Sequence, residues 1–476
     1  MNRMIPVPHG AALFVSLRRG IRMSDTAVNT FRPSRFNVMT RTEEDAVVLY
    51  NSMRGSVFKV RPPVSERVHS LLHNRKRVLN RTEHAAENEL RLFDTLVDKG
   101  FLVSTERDEL ADADELRDRR KNRTDRLELI IMPTEACNFR CTYCYEDFAL
   151  GRMLTQVREG VKALVRKYRR DHDIDKLTVS WFGGEPLVAF DVIEELSTYF
   201  LEFCAEEGID YSAGITTNGL LLTPEVAARC AELGISHYQI TLDGPAHTHD
   251  SSRHLMGGGK TFDDIVANLT SMSRTDTAFK ALIRTNFTEA NSVHVPELID
   301  QLSELYADDP RFRVIYRPVG DWGGPQGEDS EAYSGKQAEL TKLDLCSSAA
   351  DSGLRLADDV FLKPNGSVCY AASPWSFVIR PNGLINKCTV ALRDPRNAVG
   401  LLSEDGDLGL NDELMSLWVD NDDAKDSGCH SCFFRPSCQG AHCPLVRIQE
   451  GQRPCPPQKV WIGPTITTAA GIGRAR

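Results

Sequence analysis

No run of about 18 apolar residues occurs in the chain, so no membrane-spanning helix is expected. The stretch "GAALFVSL" near the start is apolar but short. It is followed by "RRGIR" and lacks a small-residue cleavage site, so it does not read as a signal peptide. Met4 and Met23 are alternative starts. A surplus of positive charge is also missing: 57 Lys and Arg stand against 67 Asp and Glu, a formal net charge of −10. That argues against broad nucleic-acid binding, and neither nucleic acid nor membrane is expected as a partner. The cysteines do not form an even set, since there are 13 of them. A disulfide framework is not expected in a large, reduced, cytoplasmic protein, and metal ligation explains the thiols better. The rest of the composition, 41% apolar and 26% charged, fits a soluble globular protein, and 476 residues exceed one ordinary core.

Residues 1–30 show no periodicity and are expected to be disordered. Within 31–105, "FNVM", "AVVLYN" and "GSVFKVRP" read as short strands. "PVSERVHSLLH" and "AAENELRLFDTLVDKG" read as helices, the second stopped at Gly100. That order at that size predicts a small winged-helix-like domain. Residues 106–126 form a charged linker or solvated helix. From 127 to 335 strands and helices alternate. The six strands are "LELIIMPT", "LTVSWFG", "YSAGITTN", "HYQITLD", "FKALIRTNF" and "RFRVIYRPV". Strands with helical crossovers demand a parallel sheet covered by helices, an α/β fold whose length suits an open partial barrel. In such barrels chemistry sits at the C-terminal strand ends. From 336 to 460 the periodicity fades, and cysteines and turn residues dominate, so this region is expected to need metal. The tail, 461–476, reads as flexible.

"CNFRCTYCYE" at 137–146 follows the first strand and spaces Cys137, Cys141 and Cys144 as C-x3-C-x2-C. Soft thiolates favour iron–sulfur clusters or zinc. A structural zinc site wants four ligands, whereas three cysteines without a neighbouring fourth suit a four-iron cluster with one iron open. Buried, inert thiols and zinc with a distant ligand are the alternatives. The following strands end in "WFGGEPL", "TTNG" and "TLDG", and "HDSSR" comes next. Each of these taken alone reads as a turn. Arg284 and Asn286 in "RTNF" are explained equally well by ordinary strand polarity. Downstream, thirteen residues separate Cys369 from Gly383 and four separate Gly383 from Cys388. Then come Cys429-x2-Cys432-x5-Cys438-x4-Cys443 and finally Cys455. Without context the C-x2-C pair suits zinc. Cys204 and Cys230 read as buried helix residues, and Cys346 stands apart.

"CNFRCTYCYE" resembles the signature of radical S-adenosylmethionine (radical SAM) enzymes. The resemblance implies a partial (β/α)6 TIM-type barrel and a [4Fe-4S] cluster held by Cys137, Cys141 and Cys144. S-adenosyl-L-methionine would chelate the fourth iron through its amino and carboxylate groups. One electron would then split the sulfonium to a 5′-deoxyadenosyl radical, chemistry that belongs to the cofactor. Gly183, Gly184 and Glu185 match the family's GGE motif, with Glu185 turned to the methionine ammonium. Thr217, Asn218, Thr241 and Asp243 fall near the expected nucleoside. Arg253 is positioned to pair with the methionine carboxylate, and Tyr143 to pack near the adenine. No catalytic acid or base is identified.

The second cysteine set resembles a SPASM domain, an extension of radical SAM enzymes that modify peptides and proteins. It departs from that pattern once, with four residues between Cys438 and Cys443. The resemblance implies two auxiliary [4Fe-4S] clusters, one on Cys369, Cys388 and Cys443, the other on Cys429, Cys432, Cys438 and Cys455. The first set then lacks a fourth ligand; its iron is open, or Cys346 reaches it. The unit at 31–105 resembles a RiPP recognition element, which binds leader peptides by adding a strand to a sheet edge; a structural cap on the barrel is the alternative reading.

The expected function is therefore a radical SAM peptide maturase, an oxidoreductase that abstracts hydrogen from a ribosomally synthesised precursor peptide. The outcome would be a thioether or carbon–carbon cross-link. Its partners would be a precursor peptide with its leader and an electron donor of flavodoxin or ferredoxin type. One alternative is an anaerobic sulfatase-maturating enzyme forming formylglycine on a Cys or Ser. Those enzymes typically place an Asp base after the second SPASM cysteine, where this chain has Thr389. The other is a zinc-stabilised peptide-binding protein without catalysis.

Overall fold

In the computed structural model, described residues are 29–84, 86–323, 332–420 and 423–472. The expected disorder of the N-terminus lies almost wholly outside them. None of the described helices is long and apolar enough to cross a membrane.

The N-terminal unit holds two three-stranded antiparallel sheets. β1 (Thr30–Pro33) lies between β5 (Leu79–Asn80) and β6 (Leu102–Ser104). β2 (Asn37–Arg41), β3 (Val47–Asn51) and β4 (Ser56–Val60) form a meander, which matches the three strands read from the sequence. All five residues of β3 are buried because its two faces serve two cores. Val47 and Leu49 pack with Phe31, Val68 and Phe93 of the unit itself. Val48 and Tyr50 point the other way, onto Leu362, Phe434 and Ile466 far along the chain. Ile466 belongs to a helix over Ile462–Ile472. The tail expected to be flexible is thus ordered as far as 472, because it covers the second face of β3.

The charged stretch after this unit is a helix, Glu109–Lys121, capped by Asp108. It is not merely solvated. Arg117 reaches Asp423 at 3.0 Å, and Arg435 bridges Asp423 at 2.7 Å and Asp114 at 2.6 Å.

The main sheet has nine strands. β7 (Arg126–Ile131), β9 (Lys176–Trp181), β10 (Asp210–Thr217), β11 (Ile235–Thr241), β13 (Lys280–Phe287) and β14 (Phe312–Pro318) lie side by side in chain order, all parallel. Helices cross between them, each apolar on one face. In Thr155–His172 the buried residues include Val157, Val161, Leu164 and Val165, a one-face spacing. The helix Phe190–Glu207 stops at Gly208, whose φ of 68° is the left-handed turn that a side chain would resist.

The sheet does not end at β7. β15 (Ser376–Ile379) pairs parallel to it, followed by β16 (Leu384–Asn386) and β17 (Ala398–Leu401) as an antiparallel extension. Phe377, Ile379, Ile385, Val399 and Trp418 join the same core as Trp181 and Phe200. Part of the region expected to lack a core of its own therefore borrows the core of the main sheet. The short antiparallel pair β8 (Phe139–Cys141) and β12 (Arg253–Leu255) stands over the C-terminal end of the sheet.

Candidate functional site

Parallel strands put all their C-terminal ends on one edge, and the motif residues follow those ends. The three-cysteine loop comes after β7. Its position is set by the β8–β12 ladder, which places Arg253 opposite Cys141 and Leu255 opposite Phe139. Thr142 and Met256 add backbone bonds to Ser252 and Asn138 at 3.0 and 2.8 Å.

The loop after β9 packs beneath this one. A Cβ on Gly183, whose φ is 139°, would stand 2.2 Å from the carbonyl oxygen of Thr134; one on Gly184 would stand 2.3 Å from that of Glu135. Only glycine permits this approach. Glu185 follows, fully buried. Its carboxylate accepts from Leu187 N–H at 3.0 Å, Thr217 Oγ1 at 2.8 Å and Asn218 N–H at 2.7 Å. Burial raises its pKa, and these bonds oppose the rise. The predicted residues Glu185, Thr217 and Asn218 are thus one unit, and Asn218 Nδ2 ties them to Asn138 Oδ1 in the cysteine loop at 2.8 Å.

A second unit gathers Tyr143, Asp243 and Arg253. The Tyr143 hydroxyl donates to Asp243 and accepts from Arg253 at 2.7 Å and from Asn286 Nδ2 at 3.1 Å. Asp243 also accepts from Asn286 N–H at 3.0 Å. The Tyr143 hydroxyl is the hub of this polar network. Arg253 Nε is buried without a hydrogen-bond partner, and the guanidinium lies over the Phe139 ring at 5.7 Å. Thr241 is buried at the end of β11 and has no part in either network.

The thiols group by neighbourhood. Burial pushes Cys137 and Cys144 up to about 12, and each feels Cys141 as well. Burial likewise raises Cys369 to about 12, with Cys388 and Cys443 adding to it. Burial raises Cys438 to about 12, with Cys429 and Cys432 contributing. Lys459 Nζ donates to Cys455 Sγ at 3.0 Å and feels Cys432 and Cys429 too. Backbone N–H groups of Phe139 and Phe434 point at Cys137 Sγ (3.4 Å) and Cys432 Sγ (3.3 Å). These neighbourhoods are three: Cys137, Cys141 and Cys144; Cys369, Cys388 and Cys443; and Cys429, Cys432, Cys438 and Cys455. Cys346 belongs to none of them. It is buried in the helix Gly335–Asp351, with Asp358 and Lys342 as its charged neighbours, so the structure does not bring it to Cys369, Cys388 and Cys443. Among the described residues no three His, Cys, Asp or Glu side chains are gathered tightly enough to hold a single metal ion.

Three residues had no legible signal. Arg380, in the turn after β15, donates to Glu135 at 2.7 Å, and Glu135 also accepts from Leu150 N–H at 3.1 Å. Glu146, two residues past Cys144, is 6% exposed. Burial, with Glu135 and Asp147 adding, raises it to about 8.

Thiols, a glycine cradle and a buried guanidinium thus lie together at one edge of a parallel α/β sheet. Residues 131–283 match the Radical SAM superfamily model. The chain is 24% identical over 330 residues to the cysteine-type anaerobic sulfatase-maturating enzyme of Clostridium novyi, covering 66% of this chain and 87% of that one. It is 27% identical over 332 residues to mycofactocin maturase MftC of Mycolicibacterium smegmatis, covering 64% and 75%. With Fe-coproporphyrin III synthase of Methanosarcina barkeri it shares 29% over 174 residues, 36% and 39% of the two chains. The chain spans about half the length of the first curated relatives it matches. Among solved structures, native anSMEcpe with bound AdoMet and Cp18Cys peptide overlays with a TM-score of 0.55 at 17% identity, covering 74% of this chain and 98% of that one. Residues 131–283 thus carry a radical SAM domain, the kind that uses S-adenosylmethionine and a [4Fe-4S] cluster.

Proposed function

We propose that the protein is a radical SAM peptide maturase that abstracts hydrogen from a ribosomally synthesised precursor peptide and installs a thioether or carbon–carbon cross-link. The observation that carries this reading is the register of β8 against β12. It sets Arg253 directly across from Cys141, with Asp243 and Tyr143 in the same buried network. Cys137, Cys141 and Cys144 would hold the [4Fe-4S] cluster. Reduced, the cluster with S-adenosylmethionine supplies a 5′-deoxyadenosyl radical.

The chain's own residues fit that cofactor. Arg253 Nε, without a hydrogen bond and 4.0 Å from Asp243, suits a carboxylate, because a guanidinium presents donors in a fork. Glu185 keeps capacity for a cationic donor beyond the three bonds it already accepts. Gly183 and Gly184 hold the two loops close enough for one ligand to touch both. Buried thiols resist ionising on their own, so cluster assembly would release their protons. Cys369, Cys388 and Cys443 would hold one auxiliary cluster, and Cys429, Cys432, Cys438 and Cys455 another. In this reading 127–335 is a partial barrel, and the N-terminal unit is a winged-helix-like recognition element for a leader peptide. β4 is an edge of its meander and so offers a place for strand addition. A flavodoxin- or ferredoxin-type protein would deliver the electron.

Formylglycine formation has in its favour the long match to a sulfatase-maturating enzyme. Against it stands the residue after Cys388. Thr389 Oγ1 is paired with the Tyr370 hydroxyl at 2.9 Å, which puts no carboxylate base there.

The test is Cys141→Ala. Wild-type protein prepared without oxygen and reduced should release 5′-deoxyadenosine, measured by chromatography. The variant should release none while keeping the iron of the auxiliary sets. Full release by the variant would remove the cluster assignment.

A further inference from the structure

The strands of the parallel sheet alternate buried with partly exposed residues. The buried set, which includes Val179, Ile215, Ile283 and Val314, shares one core with the crossing helices. The other set, which includes Thr178, Ser212, Gln239 and Arg284, is polar and partly exposed. The face turned away from the helices is therefore an open, polar wall.

Near the C-terminal ends of β13 and β14 this wall carries two guanidiniums. Register sets Asn286 of β13 opposite Arg317 of β14, and Arg284 lies one step below Asn286 on the same face. Burial, with the Arg317 charge adding, holds Arg284 below its ordinary value. Each is fixed from behind. Arg284 Nε donates to Asn286 Oδ1 at 2.8 Å, and Asn286 Nδ2 donates to the Tyr143 hydroxyl at 3.1 Å. The Arg317 guanidinium lies over the Phe361 ring at 5.0 Å. Among the described residues neither has a carboxylate partner, and both are partly exposed. Asp243, whose charge reaches Arg284, already accepts from the Tyr143 hydroxyl and Asn286 N–H. Arg313, lower on β14, is by contrast engaged by Asp359 at 3.1 Å. The pair also stands between two thiol sets. The charge of Arg284 reaches Tyr143 and Tyr145 on either side of Cys144, and that of Arg317 reaches His442 beside Cys443. Two cations side by side repel, and an anion shared between them removes the repulsion. A guanidinium fork suits a carboxylate best.

We propose that Arg284 and Arg317 together bind a carboxylate of the substrate, next to the residue that reacts. This rests on the peptide-maturase reading and narrows its substrate class to peptides with an acidic group at the site of modification, from an Asp or Glu side chain or from the end of the peptide. Both arginines set specificity, and Asn286 positions the first of them.

The experiment uses the full-length, cluster-loaded protein with S-adenosylmethionine and four dye-labelled glycine–serine peptides, with binding followed by fluorescence anisotropy. Three have blocked ends and a central glutamate, glutamine or lysine. The fourth has the central glutamine and a free C-terminal carboxylate. The glutamate peptide should bind at least about tenfold more tightly than the blocked glutamine peptide, with lysine weakest. The net charge of −10 would by itself favour lysine, so this order reports a local site. Tight binding of the free-ended peptide in place of the glutamate one assigns the pair to a chain end. Arg284→Gln and Arg317→Gln should each lose most of the preference, about fivefold or more. Arg313→Gln should change it less than about twofold. Arg284→Lys and Arg317→Lys keep the charge without the fork and should keep part of the preference. Where a glutamine variant loses iron, its lysine counterpart decides, and an unchanged preference there counts against the site. Carboxylate-independent binding, no binding, or an unchanged preference in either glutamine variant overturns the proposal. So does an equal loss of S-adenosylmethionine affinity in those variants by equilibrium dialysis, which would give the guanidiniums to the cofactor. S-adenosylmethionine cleavage by the wild type is read separately. Cleavage without carboxylate preference removes only this assignment, whereas carboxylate preference without cleavage removes the radical reading and keeps the anion pair.

Discussion

The main sheet and the segment 423–461 bury their residues by opposite means. The sheet is held by aliphatic and aromatic side chains. Trp181, Ile240 and Phe287 are each fully buried in it, on strands six to eight residues long, and Phe200 packs with them from the helix Phe190–Glu207. The segment has helices of four residues at Ser427–His430, Arg435–Cys438 and Pro457–Val460 and one of seven at Pro444–Glu450. Its fixed points include Phe434, the ion-paired Arg435 and five thiols. Helices that short cannot stand by their own hydrogen bonds. One region is thus specified by apolar area, whereas the other depends on cross-links between groups far apart in sequence.

Removing the iron should widen this difference most. In hydrogen–deuterium exchange with mass-spectrometric readout, chelator-treated protein should exchange at least about tenfold faster across 423–461, and less than about twofold faster in β7, β9 and β10. Equal change in both regions would show that the segment folds without its metal. A smaller effect is expected at the seam with the N-terminal unit. The Tyr50 hydroxyl donates to the Leu362 carbonyl at 2.6 Å and contacts Ser437 Oγ at 2.9 Å. Tyr50→Phe should cost about 1–2 kcal/mol in denaturant unfolding, and the loss should appear first as faster exchange in 435–438. The smallest effect lies within the sheet region. Asp309 is held below its ordinary 3.8, chiefly by its hydrogen bonds to Arg311. A depressed carboxyl pKa stabilises the fold above the unfolded value and loses that contribution as pH falls through the folded one. Asp309→Asn should therefore be less stable by about 0.5–1 kcal/mol at neutral pH, and the gap should narrow as the pH falls below the ordinary 3.8.

The same contrast explains what could be read in advance. The six parallel strands were legible because each is a short apolar run bounded by turn residues. The cysteine sets were legible because ligand spacing is a local property of the chain. β15, β16 and β17 were not. "SFVI" and "LIN" are too short to signal strands, and they hold their shape only by pairing with β7 and one another. The helix over 462–472 was missed because its apolar residues answer to Val48 and Tyr50, some 400 positions earlier. Within the site, Glu185 and Arg253 were found from motif order. Asn138, Glu135 and Arg380 carry no pattern, since each matters only through a partner brought to it by the fold.

By itself the sequence determined the parallel α/β core, the order of the loops along one sheet edge and the spacing of the cysteines. Periodicity and ligand spacing are written in neighbouring residues, and neighbouring residues were enough. Only the tertiary structure decided that Cys346 lies away from Cys369, Cys388 and Cys443, that Arg253 faces Cys141 and that Arg380 meets Glu135. Those facts depend on burial and on contacts between distant segments, and no local pattern encodes the distance between two side chains that the chain must fold to bring together.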